Sequence, residues 1–209
     1  DLHVRGWQVA AHANGDAAID ATIDAVAQAQ REFPREDPRH IVVHAQMTRD
    51  DQLEPYRVLG MTPSFFPAHV YFWGDRHRDI FLGPERAARI SPLKTATDGQ
   101  VRFTIHLDTP VVPMDPLLLV WAASRRETRS GKVLGAEERI GVMQALRAIT
   151  IDAAWQVFQE DNRGSIEPGK FADLVVLSGD PLADPDAQRA LVVEKTLIGG
   201  VVFFARQET

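Results

Sequence analysis

Three residues of this sequence combine a cation-binding side chain with a place at the end of a short apolar run. His12 closes "WQVAAH" (7–12), His44 closes "HIVVH" (40–44) and Asp108 closes "VRFTIHLD" (101–108). Imidazole nitrogen and carboxylate oxygen both suit Zn²⁺ and related divalent ions. Taken singly, each has a plainer role. A strand-end histidine can make a structural hydrogen bond, and an aspartate before Thr-Pro can start a turn. The intervals connect them: 32 residues separate His12 from His44, and 64 separate His44 from Asp108. A (β/α)8 barrel spends about 31 residues on each βα unit and builds its active site where its strands end. One unit and then two, with "MTPSFFP" (61–67) as the intervening strand, place all three residues at one mouth.

Other side chains fall near that mouth. His69, in "FFPAHVYFWGD", follows the third strand and is positioned to meet a substrate, or else to serve as a polar loop residue. His106 shares a strand face with Asp108 and points toward the site or into packing. Trp73 belongs to an aromatic cluster with Phe65, Phe66, Tyr71 and Phe72, which either walls an apolar pocket or fills the core. His3, His40 and His77 read as structural or solvated. The basic stretches "RHRD" (76–79) and "SRRETRSGK" (124–132) read as solvated surface. No GxSxG, P-loop or GxGxxG pattern is present, so serine-hydrolase and nucleotide-binding readings lack support.

The positioning elements alternate. After the first strand, Asp16 is expected to cap a helix whose Ile19, Ile23 and Val26 fall near helical spacing, ending before Pro34. Thr48, with Asp51 three residues on, is expected to cap a helix running to Leu59, stopped by Gly60. The strand at 61–67 is weakened by Pro63 and Pro67. Helices are expected over 115–127 and over 135–158, the latter broken near Thr150. Then "GSIEPGKFADLVVL" (164–177) leads into a strand, and "VVEKTLIGGVVFF" (192–204) reads as a hairpin about Gly199-Gly200. The pattern is α/β with a parallel sheet. Residues 1–160 form the half-barrel and its trailing helices, and 161–209 a small β segment. A doubly wound sheet is the competing architecture.

Bulk composition narrows the function classes. A net charge of −6, with 29 acidic against 23 basic residues, argues against a general nucleic-acid binder. The absence of cysteine excludes disulfides and thiolate metal sites and suits a cytoplasmic protein. No apolar run is long enough to span a membrane. The chain starts without Met, so targeting is left open.

These segments together resemble the amidohydrolase superfamily, specifically its amidohydrolase-3 branch of YtcJ-like proteins and N-substituted formamide deformylases. "AHANGDAAID" resembles that branch's fifth-strand histidine segment, "HIVVHAQ" its sixth-strand histidine segment, and "TIHLDTPVVPMDPL" its eighth-strand aspartate segment. "GSIEPGKFADLVVLSGDPL" is similar to the point where the family's chain enters its β-sandwich. The resemblance implies the C-terminal half of a TIM barrel, strands five to eight, followed by the last sandwich strands. It implies His12, His44 and Asp108 as ligands of a divalent metal, zinc first, with one or two ions. Asp108 would also handle protons during hydrolysis of a carbon–nitrogen bond in a small amide or formamide-like substrate, with His69, His106 and Trp73 lining the substrate site.

Two family features are missing. No two histidines stand two apart, so the His-x-His pair is absent, as is the bridging lysine segment of the fourth strand. The expected partner is therefore the N-terminal half, or a second copy through self-association. The competing function is a non-catalytic fragment or binding module.

Overall fold

The computed structural model describes residues 1–183 and 187–207. Four strands form one parallel sheet in the order β1-β2-β3-β4: β1 (Ala10–Ala13), β2 (His40–His44), β3 (Met61–Phe65) and β4 (Thr104–Ile105). Helix α1 (Asp16–Glu32) joins the first two strands and α2 (Leu53–Val58) the next. Between β3 and β4 lie α3 (Ala68–Arg76), a π-helical turn at His77–Phe81, α4 (Gly83–Ala88) and α5 (Leu93–Asp98). Neighbours in space are neighbours in sequence, as in an arc of a β/α barrel; a doubly wound sheet would reverse its order at a switch point. After β4 come α6 (Pro116–Arg125), α7 (Val142–Ile149) and α8 (Ile151–Gln156), then an antiparallel sheet of β5 (Leu174–Leu177), β6 (Val193–Ile198) and β7 (Val201–Ala205). Among the described residues no helix is long and apolar enough to cross a membrane.

Burial separates the two faces of the parallel sheet. Ala13, Val42, Phe65, Phe103 and Ile105 are buried with Ile19 and Ile23 of α1 in one apolar core. The opposite face carries His12, Val43, Ser64 and Thr104, since Ladder partners are His12 with Val43, Val43 with Ser64 and Ser64 with Thr104. In the antiparallel sheet, by contrast, Val201, Val202, Phe203 and Phe204 are all exposed.

The expected boundaries moved where side chains outbid local signals. β1 starts at Ala10 rather than Trp7, and β4 shrinks to two residues. Pro63 is accommodated in β3, because the β4 ladder starts one residue later, at Ser64. Gly15 caps α1, and Asp16 is its first residue. Thr48 does not cap: its hydroxyl donates to the Ala45 carbonyl at 2.7 Å, while Gln52 Oε1 accepts from the Arg49 N–H at 2.9 Å. The break at Thr150 and the hairpin about Gly199-Gly200 stand where expected.

At the start of β2, a histidine pair has an assignable proton order. The Val9 N–H donates to His40 Nδ1 (3.0 Å), so His40 carries its proton on Nε2 and donates it to His3 Nδ1 (2.9 Å). His3 in turn donates from Nε2 to the Phe33 carbonyl (2.8 Å). Burial, reinforced by His3 and Arg35, pushes the His40 pKa down to about 4. Its folded value thus lies below the unfolded one of about 6.5. The stability it contributes is complete above pH 6.5 and is lost as pH falls toward 4, where protonation also breaks the Val9 bond. The melting temperature should therefore fall across that window, and His40→Gln should flatten the dependence. An unchanged pH profile in the variant would contradict the assignment.

Candidate active site

His44 occupies the decisive backbone position. By register it pairs with Ala13 and Phe65, which face the apolar core. Its φ of +71° breaks the alternation of the strand, and Ala45 follows at +46°. The ring thereby joins the opposite face: it meets the His12 ring edge-on at a centroid distance of 4.7 Å and the His106 ring at 5.0 Å. His12 is exposed and His44 buried. Burial lowers the His44 pKa, opposed by the Asp108 carboxylate and aided by His12. Asp108 is exposed, with φ of +55°, and its carbonyl accepts from the Val111 N–H at 2.8 Å, so it both starts a turn and stands beside the histidines.

His106 lies behind His44. Its Nε2 is 3.2 Å from His44 Nδ1, and its Nδ1 is 3.0 Å from Ser64 Oγ. Both ring nitrogens have partners within the protein. The Thr104 hydroxyl donates to Ser64 Oγ at 2.8 Å and also reaches Gln156 Oε1 at 3.2 Å. Burial, aided by His44, holds the His106 pKa at about 4.

On the other side of His44, His69 sits in the first turn of α3. Its ring contacts Phe66 at 4.7 Å, Trp73 at 4.8 Å and His44 at 6.5 Å. Burial brings its pKa down to about 4, so it is neutral at pH 7. Its Nδ1 is 3.1 Å from His77 Nε2, which also lies 3.3 Å from Gln46 Nε2. His77, expected to be structural or solvated, belongs to this histidine cluster. Only the π-helical turn brings it there; no strand-end signal marks it. Of the aromatic cluster, Phe66 and Trp73 border the site, Phe65 packs on Phe103 in the core, and Tyr71 meets Trp121. A groove of about 440 Å³ beside β4 is lined by His106, Asp108, Met114 and Leu119 among others.

As a cation site this set suits zinc in kind but falls short in number. Two imidazoles and a carboxylate are ordinary zinc donors. Among the described residues, however, no group of three or more such side chains is placed to hold a metal ion.

The sequence of the Amidohydrolase family matches residues 1–204. The chain belongs to the amidohydrolase family. It is 29% identical to the putative amidohydrolase YtcJ of Bacillus subtilis over 97% of this chain and 38% of that protein. It is 30% identical to the N-substituted formamide deformylase of Arthrobacter pascens over 78% of this chain and 30% of that enzyme. These relatives place it in the amidohydrolase-3 branch. Among solved structures, an uncharacterized metal-dependent hydrolase from Pyrococcus horikoshii superposes with a TM-score of 0.73 at 30% identity, over 87% of this chain and 36% of that one. The chain thus spans 38%, 30% and 36% of the lengths of these three relatives.

Proposed function

We propose that this chain is strands five to eight of a metal-dependent (β/α)8 hydrolase that cleaves carbon–nitrogen bonds in small amides or formamide-like compounds. The observation that carries the reading is the meeting of His12 and His44, from successive strands, beside Asp108. His12, His44 and Asp108 would hold a divalent ion, zinc by donor type, with further ligands and any second ion supplied from outside these 209 residues. When bound, such an ion polarises a carbonyl and acidifies a water.

The protein groups do the rest. An Asp108 carboxylate oxygen takes a proton from the attacking water and delivers it to the leaving amine nitrogen. His69, neutral and tied through Nδ1 to His77, orients the substrate carbonyl with Nε2, and Trp73 covers the substrate's apolar part. β1 and β4 each have a strand on one side only. Their open edges are where the polypeptide corresponding to the relatives' preceding portion, or a second copy, would close the barrel.

The shortage of donors favours a second reading, a binding module without a working centre. Zinc loading followed by assay on N-formyl and N-acyl amines, with and without that preceding polypeptide, separates the two. Hydrolysis is expected when both parts and zinc are present. Replacing His12 or His44 by Ala should weaken zinc binding by more than the about 10–100-fold typical of losing an outer-shell partner. Neither bound zinc nor turnover in the assembled protein would leave the binding module.

A further inference from the structure

We propose that this chain closes its barrel with a second copy of itself, β4 of each copy pairing in parallel with β1 of the other. The proposal rests on the half-barrel reading above and commits the two open edges to one occupant. In β1 the odd residues turn their peptide groups to β2: the Ile41 N–H bonds the Val9 carbonyl at 2.8 Å and the Ala45 N–H bonds the Ala13 carbonyl at 3.1 Å. Alternation then turns the N–H and C=O of Ala10 and His12 to the open side. At the other end of the sheet the His106 N–H bonds the Phe65 carbonyl at 3.0 Å, so Ile105 and Leu107 turn their peptide groups outward. All four strands run the same way. Joining β1 to β1 would reverse either the strand direction or the face of the sheet. Joining β4 to β1 preserves both.

The side chains beside the two edges are complementary. A groove of about 500 Å³ beside β1 runs between the sheet and α1, lined by Val9, Ala11, Ala21, Ala25 and Val26 among others. The groove of about 440 Å³ beside β4 includes Ile105, Leu107, Leu119, Ile149 and Ala153. Small residues dominate the first and large ones the second. Both lie on the helix-covered side of the sheet, where Ala11 shares the face of the buried Ala13 and Ile105 lies in the same core. Pairing β4 with β1 merges the grooves into one core between sheet and helices. Four strands from each copy make the eight of a (β/α)8 barrel. One two-fold along the barrel axis then satisfies all four edges and leaves none to grow a filament. The same closure brings His12, His44 and Asp108 of both copies to one mouth, where a single chain is short of donors.

The test is the size and cross-linking pattern of the full 209-residue chain. Sedimentation equilibrium should give a particle of twice the 23.2 kDa of one chain, and the melting temperature should rise with protein concentration. Ala25 is exposed in the single chain, so Ala25→Glu leaves its packing intact. In the dimer it puts an unpaired carboxylate into each apolar contact and should weaken association by about 100-fold or more. The sequence has no cysteine, so Ala25→Cys and Ala153→Cys provide specific handles on the two edges. A short bis-maleimide should join these two variants when they are mixed and neither variant to itself. A chain monomeric at every concentration, a dimer indifferent to Ala25→Glu, or Ala25→Cys chains joined to each other would overturn the proposal. Zinc binding and turnover, read on the same samples, test the underlying reading separately. A closed dimer that shows neither would keep the closure and remove the metal-hydrolase reading. A monomer that hydrolyses amides once the preceding polypeptide is supplied would remove the closure and keep that reading.

Discussion

Replacing Asp108 by Asn should lower the turnover of the assembled enzyme by about 10²–10⁴-fold, the usual worth of a positioned acid–base group. The change keeps the side chain's shape and removes its ability to take and return a proton. Three features make the loss chemical rather than structural. Asp108 is exposed, so no buried charge is stranded. Its φ of +55° is a left-handed conformation that asparagine, like aspartate, adopts more readily than most residues with a side chain. The turn bond from Val111 to the Asp108 carbonyl also survives, because it uses only backbone. The melting temperature should hold while kcat falls. Zinc content measured on the same sample separates a lost proton carrier from a lost ligand. Undiminished turnover would remove Asp108 from the mechanism.

The largest effect on stability is expected far from the chemistry, at Arg126. It ends α6 with φ of +52°, and its guanidinium is buried. Its guanidinium donates to four backbone carbonyls: Leu134 at 2.9 Å, Ile90 at 2.8 Å, Ser91 at 3.1 Å and Ala88 at 3.3 Å. Burial pushes its pKa down to about 10, which still leaves it charged at neutral pH. Arg126→Met would take this donor from the Leu134, Ile90 and Ala88 carbonyls, while the Ser91 carbonyl keeps the Leu93 N–H at 2.9 Å, and the cost should be about 3–5 kcal/mol, several buried acceptors at about 1–3 kcal/mol each. Against a total stability of about 5–15 kcal/mol, that threatens folding itself. Lysine should rescue little, since one ammonium cannot span four carbonyls in the plane of a guanidinium. Chemical denaturation gives the number, and a loss under about 1 kcal/mol would refute the role. The effect should reach the site, because the Ser91 N–H bonds the Gln46 carbonyl at 2.8 Å, two residues beyond His44.

Arg126 also marks where sequence reading stops. Within "SRRETRSGK" it looks like any surface arginine, and only the fold reveals carbonyls converging on it from residues 88–91 and 134. β2 was legible to the residue, because the short β-branched run "IVV" stands between two histidines just after Pro38. β1 and β4 were visible but overlong, since apolar character continues where pairing stops. Residue type, strand-end place and interval together nominated His12, His44 and Asp108, and the rings of His12 and His44 do meet, at a centroid distance of 4.7 Å. His77 could not be picked out, because it reaches the cluster through an irregular helical turn with no periodicity to betray it. His106 was noticed, yet the partner of its Nδ1 is Ser64, a residue 42 positions earlier.

The pair of left-handed residues at 44 and 45 has a consequence for mutational surveys. Ala45 has no functional atom in its side chain, yet it is fully buried at φ +46° and delivers the His44 ring to the far face of the sheet. Valine and isoleucine resist that backbone, whereas glycine accepts it. In a substitution profile position 45 should therefore tolerate glycine and reject larger apolar residues. An alanine with no chemistry of its own would carry the same intolerance as the histidine it follows.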